Sequence, residues 1–226
     1  MDDLLIRGAT LYDGSGNDPL RADLAVRDGR IHAIAPTQPV QARKVVDAEG
    51  LALMPGIIDS HTHFDAQLTW DAMARPSPTL GVNTAVIGNC GFTIAPCRPQ
   101  DRELTMRNLT QVEGMSLEVL QRGIDWGFET FAEYLAQLRQ RGVGVNVAAY
   151  VGHSSLRTWV MGADANRREA SADEIAQMAA QSAWPARPVR RTTARAARRC
   201  RRAWPATPST WRWSRRWARA GAASTW

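Results

Sequence analysis

The chain has 226 residues, of which 44% are hydrophobic, which is enough for one large domain or two small ones around a buried core. It holds no uninterrupted apolar run of about 18 residues, and Met1-Asp2-Asp3 opens acidic, without the basic and then apolar stretch of a secretion signal. The formal charge of +6 would point to nucleic acid or an anionic membrane, but the last 46 positions hold 12 of the 28 basic residues and none of the 22 acidic ones, leaving residues 1–180 with 16 basic against 22 acidic.

That acidic part is expected to be a cytoplasmic protein with no nucleic-acid or membrane partner. Its three cysteines, Cys90, Cys97 and Cys200, are an odd number without a secretion signal, which argues for reduced thiols or a metal ligand over a disulfide framework.

Residues 3–54 read as short strands punctuated by turn residues: DLLIRGATLYDG, DLAVRDGRIHAIAP and KVVDAEGLALMPG. A small β domain over residues 1–54 is predicted. From residue 55 the pattern changes. The apolar run GIID leads into His61-Thr62-His63, and TAVIG (84–88) leads into Asn89-Cys90-Gly91, two buried strands that end in polar chemistry. Helices are predicted over 101–112, 116–122 and 129–140, the last placing Phe131, Tyr134, Leu135 and Leu138 on one face. A further buried strand covers 143–151 and ends at Gly152-His153. Ser171 then caps a helix from Ala172 to Ala180, with Glu174 completing a capping box.

Strands alternating with helices, with polar groups just past the strand ends, predict an α/β architecture. The expectation is a small N-terminal β domain followed, over residues 55–180, by an incomplete (β/α) TIM-like barrel whose active site lies at the C-terminal ends of its strands. About three of eight barrel strands are expected.

Residues 181–226 differ in kind. They are rich in Arg, Trp and Ala, contain six of the nine tryptophans, and follow neither helical nor strand periodicity. Lys44 is the only lysine, which points to GC-rich codons, and a GC-rich gene read out of frame yields Arg, Ala, Pro, Trp, Ser and Thr. Back-translation of residues 210–226, read one nucleotide earlier, permits an amphipathic helix, a Gly-rich stop and an apolar strand. The tail is therefore read as frame-shifted and disordered. The competing reading is an Arg/Trp arm that tracks phosphates or sits on an anionic membrane, within a non-catalytic binding protein.

Residues i and i+2 of a strand point to the same side, so His61 and His63 can present two imidazoles to one metal ion. A lone H-x-H is weak evidence. Its context is stronger: MPGIIDSHTHFD, preceded by a β domain containing DGRIHAIAP, resembles the opening of the amidohydrolase superfamily. The segment GVNTAVIGNCGFTIAPC (81–97) is similar to the one by which D-aminoacylases, the N-acyl-D-amino-acid deacylases, differ from dihydroorotases and hydantoinases. GIDWGFETFAEYLAQL and NVAAYVGHSSLRTWVMG look like the same family.

The resemblance implies a zinc-dependent metal site. Cys90 would hold a tightly bound zinc as its thiolate, with His61 and His63 at or beside a second, weaker metal position, since a thiolate among imidazoles is a good zinc ligand. It also implies hydrolysis of the amide joining an acyl group to a D-amino acid, a small-molecule substrate, with zinc polarising the carbonyl and activating water. His153 and Ser154 are candidates to face substrate. Asp65 could anchor an imidazole N–H or sit in a solvated loop. The family takes its remaining metal histidines and a proton-shuttling aspartate from later strands, so no catalytic acid–base residue is assigned here. The chain as written is expected to be nearly inactive, with an open sheet edge. The alternative enzyme reading, a cyclic-amide hydrolase of dihydroorotase or hydantoinase type, would call for a carboxylated lysine, and Lys44 lies before the barrel.

Overall fold

The computed structural model describes residues 1–36 and 38–182. The chain divides into two units after Gly56. Nearly all of the Arg/Trp segment read as frame-shifted lies outside the described residues.

In the first unit, β1 (Asp2–Leu11) is central. It pairs antiparallel with β2 (Leu20–Arg27), which pairs antiparallel with β3 (Arg30–Ile34), and it pairs parallel with β4 (Ala42–Asp47) and the two-residue β5 (Ala52–Leu53). The β2–β3 hairpin closes on Asp28-Gly29, both at positive φ (51° and 69°). Two such residues match the right-handed twist of the flanking strands, which is why an Asp-Gly pair stands there. The core is small, formed by Ala9, Leu11, Leu24 and Ala48 with Ile6, Val26 and Leu53 against them. The buried Asp2 is matched by Arg27, whose Nε donates to its carboxylate at 2.6 Å.

The second unit holds three parallel strands in sequential order: β6 (Ile57–Thr62), β7 (Val82–Ile87) and β8 (Asn146–Ala149). Parallel neighbours need a crossover between them. The β6–β7 crossover carries the single-turn helix α1 (Phe64–Gln67) and a 3₁₀ turn at Ser77–Leu80. The β7–β8 crossover carries α2 (Arg102–Glu113), α3 (Leu117–Gly123) and α4 (Phe131–Arg141). Tyr134 and Leu138 of α4 pack with Ala85 and Ile87 of β7, and with Leu68, Ile94, Leu109 and Leu120, to form the main core. A full capping box starts α4, with Thr130 accepting from the Glu133 N–H and Glu133 accepting from that of Thr130.

After β8 come α5 (His153–Met161), a 3₁₀ turn (Gly162–Asn166) and α6 (Ala172–Ser182), around a second core of Leu156, Met161, Ala165 and Met178. No helix among the described residues is long and apolar enough to cross a membrane. β6 and β8 are the outer strands of this sheet among the described residues. Ile57 and Ile58 of β6 are 49% and 64% exposed, and a groove of about 380 Å³ lies between α4 and β8, lined by Leu135, Leu138, Val145 and Val147.

The capping box expected at Ser171 and Glu174 is present: Ser171 N–H donates to Glu174 at 2.7 Å, and Glu174 N–H donates to Ser171 Oγ at 3.2 Å. Arg168 also grips Glu174 through two nitrogens, at 2.8 and 2.7 Å. The Arg168 hydrogen bonds, and after them the Ser171 N–H, lower the Glu174 pKa from 4.5 to about 2. A depressed carboxylate stabilises the fold above its unfolded pKa, and that stabilisation is lost as pH falls through the folded value. Wild type is therefore expected to lose stability relative to Glu174→Gln between pH 4.5 and about 2 in urea titrations. A gap between the two curves that does not change with pH would sink this assignment.

Candidate metal centre

His61 lies near the end of β6, and the turn there is fixed by its own N–H, which donates to Asp59 Oδ1 at 3.3 Å. The strand stops at Thr62. His63 takes a bridging conformation (φ −115°, ψ 38°) and caps α1, so the two histidines do not follow simple strand alternation. Their rings nonetheless face one region, with centroids 5.5 Å apart and planes at 47°. Parallel pairing of β6 with β7 brings the loop after β7 alongside: Asn89 Nδ2 donates to the Ser60 carbonyl at 2.7 Å. That contact delivers the next residue, Cys90, with its Sγ 3.3 Å from His63 Nε2.

One nitrogen from each of His61 and His63 and the sulfur of Cys90 all lie within 4.8 Å of one another. The donor set fits zinc. Zinc takes nitrogen at about 2.0–2.1 Å and sulfur at about 2.3 Å, so its ligand atoms stand about 3–4 Å apart. Partial burial, and then the neighbouring His61, lower the His63 pKa, which favours the neutral imidazole a metal requires. Cys90 is half-buried, and its sulfur also accepts the Phe92 N–H at 3.4 Å.

The Cys90 loop is stitched to the start of α5. Ser154 N–H and Oγ both donate to the Gly91 carbonyl at 2.9 Å. Thr93 Oγ1 donates to the Ala95 carbonyl, accepts from Gly152 N–H at 3.1 Å and lies 2.8 Å from Ser155 Oγ, which donates to the Thr93 carbonyl. Side chains at Gly88 and Gly152 would meet this junction: an added Cβ at Gly88 falls 2.5 Å from the Tyr150 carbonyl oxygen, and one at Gly152 falls 2.8 Å from that of Gly91.

His153 therefore sits at the first position of α5, beside Gly91 and outside the three-residue cluster. Burial, and then the charge of Arg157, lower its pKa to about 4, leaving the imidazole neutral at ordinary pH. Ser154 directs its hydroxyl proton to the Gly91 carbonyl and keeps acceptor capacity only.

Asp65 is neither in a solvated loop nor shown on an imidazole. It is 1% exposed, and its Oδ2 accepts the Ile94 N–H at 2.7 Å while Oδ1 has no hydrogen-bond partner among the described residues. Burial raises its pKa to about 6. Cys97 is buried against Thr105 Oγ1 at 3.3 Å, and burial pushes its thiol up to about 11. It stands apart from the cluster.

The model of the amidohydrolase family matches residues 44–218. The chain belongs to the amidohydrolase family. Within it, the chain is 42% identical over 176 residues to a D-aminoacylase of Alcaligenes xylosoxydans xylosoxydans, covering 78% of this chain and 34% of that enzyme. Among solved structures it matches a D-aminoacylase described as defining a novel subset of amidohydrolases, with a TM-score of 0.68 and 37% identity over 80% of this chain and 36% of that one. It also matches an N-acyl-D-glutamate deacylase of Bordetella bronchiseptica complexed with zinc and a phosphonate mimic of the tetrahedral intermediate, with a TM-score of 0.61 and 31% identity over 80% and 35% of the respective chains. This amidohydrolase chain thus spans about a third of the length of the relatives it matches. Its α/β fold is that of the D-aminoacylase structures.

Proposed function

We propose that the chain carries the metal-binding corner of a zinc-dependent hydrolase that cleaves the amide between an acyl group and a D-amino acid. The convergence of His61, His63 and Cys90 within 4.8 Å carries this reading. The likeness to a D-aminoacylase over most of the chain supports the substrate class, and the zinc in the similar deacylase structure supports the metal. A zinc ion held there would supply Lewis-acid polarisation of the scissile carbonyl and a lowered pKa for water.

The chain's own groups would divide the rest of the work. His61 and His63 would offer imidazole nitrogens, and Cys90 would offer a thiolate whose negative charge offsets part of the dication's. His153 and Ser154 adjoin the Cys90 loop at Gly91, and on this reading they would face the substrate. There His153 would be an uncharged contact and Ser154 an acceptor, its donor being engaged at Gly91. The substrate is a free small molecule met in the cytoplasm, with neither nucleic acid nor membrane as a partner.

The test combines binding and turnover on the full chain. Zinc uptake is followed by competition with a chromogenic chelator, and hydrolysis is assayed with N-acetyl-D-amino acids, their L enantiomers and a cyclic ureide. Stoichiometric zinc and any turnover confined to the D-acyl substrates are expected. Cleavage of the cyclic ureide would overturn the substrate class, and absence of zinc binding would overturn the metal centre.

A further inference from the structure

We propose that Asp65 is a positioning residue for the cluster, a buried latch that holds the turn bearing His61 and His63 against the loop bearing Cys90. The inference rests on the metal reading above.

The two sides of the cluster come from segments some 30 residues apart, and the sheet alone does not register them, because β6–β7 pairing ends at Thr62 and Ile87. Beyond that point polar side chains tie the segments together. Asn89 reaches the Ser60 carbonyl on the strand side. On the far side, Asp65 Oδ2 accepts the Ile94 N–H at 2.7 Å, two residues past His63 and four past Cys90. The two ties bracket the metal-binding atoms, so both ends of each ligand-bearing segment are held.

The latch is itself fixed. Tyr134 of α4, 1% exposed, donates its hydroxyl to the Asp65 carbonyl at 3.0 Å, while Ala66 and Ile94 are fully buried in the main core. A carboxyl kept at 1% exposure, with one oxygen lacking a hydrogen-bond partner among the described residues, is costly. An apolar residue there would avoid that cost but would leave the Ile94 N–H without an acceptor, and the Cys90 loop free to shift. Loop shifts matter here because a metal site keeps its ligand distances within about 0.2 Å.

The experiment uses the full chain, cobalt(II) as the probe, and the variants Asp65→Ala and Asp65→Asn. Two readouts are taken: the thiolate-to-cobalt charge-transfer band with cobalt affinity, and hydrogen exchange at the Ile94 amide without metal. For Asp65→Ala the expected result is cobalt binding weakened by about 10–100-fold, the range seen when outer partners of metal ligands are removed. The charge-transfer band should weaken and Ile94 should exchange rapidly, with helical circular dichroism retained. Asp65→Asn keeps an acceptor oxygen and is expected to restore both readouts.

A wild-type band and affinity in folded Asp65→Ala overturns the proposal. If the alanine variant does not fold, the asparagine variant decides: loss of the band in folded Asp65→Asn overturns the latch, and its retention supports it. A wild-type chain that gives no thiolate band, but whose Ile94 amide loses protection in Asp65→Ala, would show that the metal reading has failed while the tie between the two segments stands.

Discussion

Replacing Cys90 with alanine is expected to weaken zinc binding by at least about 100-fold, exceeding the range of about 10–100-fold typical of outer partners of metal ligands. The sulfur is the only soft, chargeable donor in the cluster. Without it the ion would keep two neutral imidazoles, and the thiolate charge that offsets part of the dication's would be gone. The fold should tolerate the change, because Cys90 is half-buried and the Phe92 N–H would give up only a long hydrogen bond to sulfur, at 3.4 Å. Competition with a chelator of known affinity measures the effect. Cys97→Ala serves as the control: that thiol is sealed beside Thr105 with its pKa pushed up to about 11, and its removal should leave zinc affinity unchanged. Equal affinities for wild type and Cys90→Ala would remove the sulfur from the ligand set.

The second large effect is expected at Gly88, where alanine should cost about 2–5 kcal/mol of stability, from a conformational and a steric contribution. Gly88 has φ +77°, a left-handed conformation that costs an L residue about 1–2 kcal/mol. Its added Cβ would also stand 2.5 Å from the Tyr150 carbonyl oxygen and 2.7 Å from Thr93 Cγ2, and overpacking of this kind costs about 1–3 kcal/mol. Backbone on the far side cannot rotate away as a flexible side chain would. Gly114→Ala separates the two contributions, since Gly114 has φ +66° and nothing within 4 Å of its added Cβ; only the conformational cost should arise there. Urea unfolding of both variants gives the comparison, and equal losses would mean that the close approach of the two loops contributes nothing.

Much of this architecture is legible in the residues. The α/β alternation, the long helices and the three parallel strands follow from periodicity and turn residues, because Phe131, Tyr134, Leu135 and Leu138 recur at helical spacing and GIID and TAVIG are short apolar runs with definite stops. The approach of Cys90 to His61 and His63 is not derivable from spacing. It depends on which strands are neighbours, and only resemblance singles out that cysteine. The strand argument for the histidine pair describes His61 and not His63, which leaves the strand to cap α1. Helix α5 carries no clear local signal because Ser154, Ser155, Thr158 and Val160 are weak helix formers. Its formation is decided by tertiary contact, with Leu156 fully buried and the first turn bound to Gly91 and Thr93. The burial of Asp65 is hidden for a related reason: nothing local distinguishes a loop aspartate from one sealed under Tyr134 and Ile94.

The Thr93 junction bears on how the molecule is made. Its hydroxyl waits on Gly152 and Ser155, the latter 62 positions downstream. At a translation rate of about 5–20 residues per second, a nascent chain has the Cys90 segment in hand for several seconds before its clasp has been synthesised. During that interval His61, His63 and Cys90 are present without the scaffold that aligns them, so a metal captured early would meet loose, exchangeable donors. If the cluster binds a metal as proposed, its donors can be held in register only once the chain has grown past Ser155.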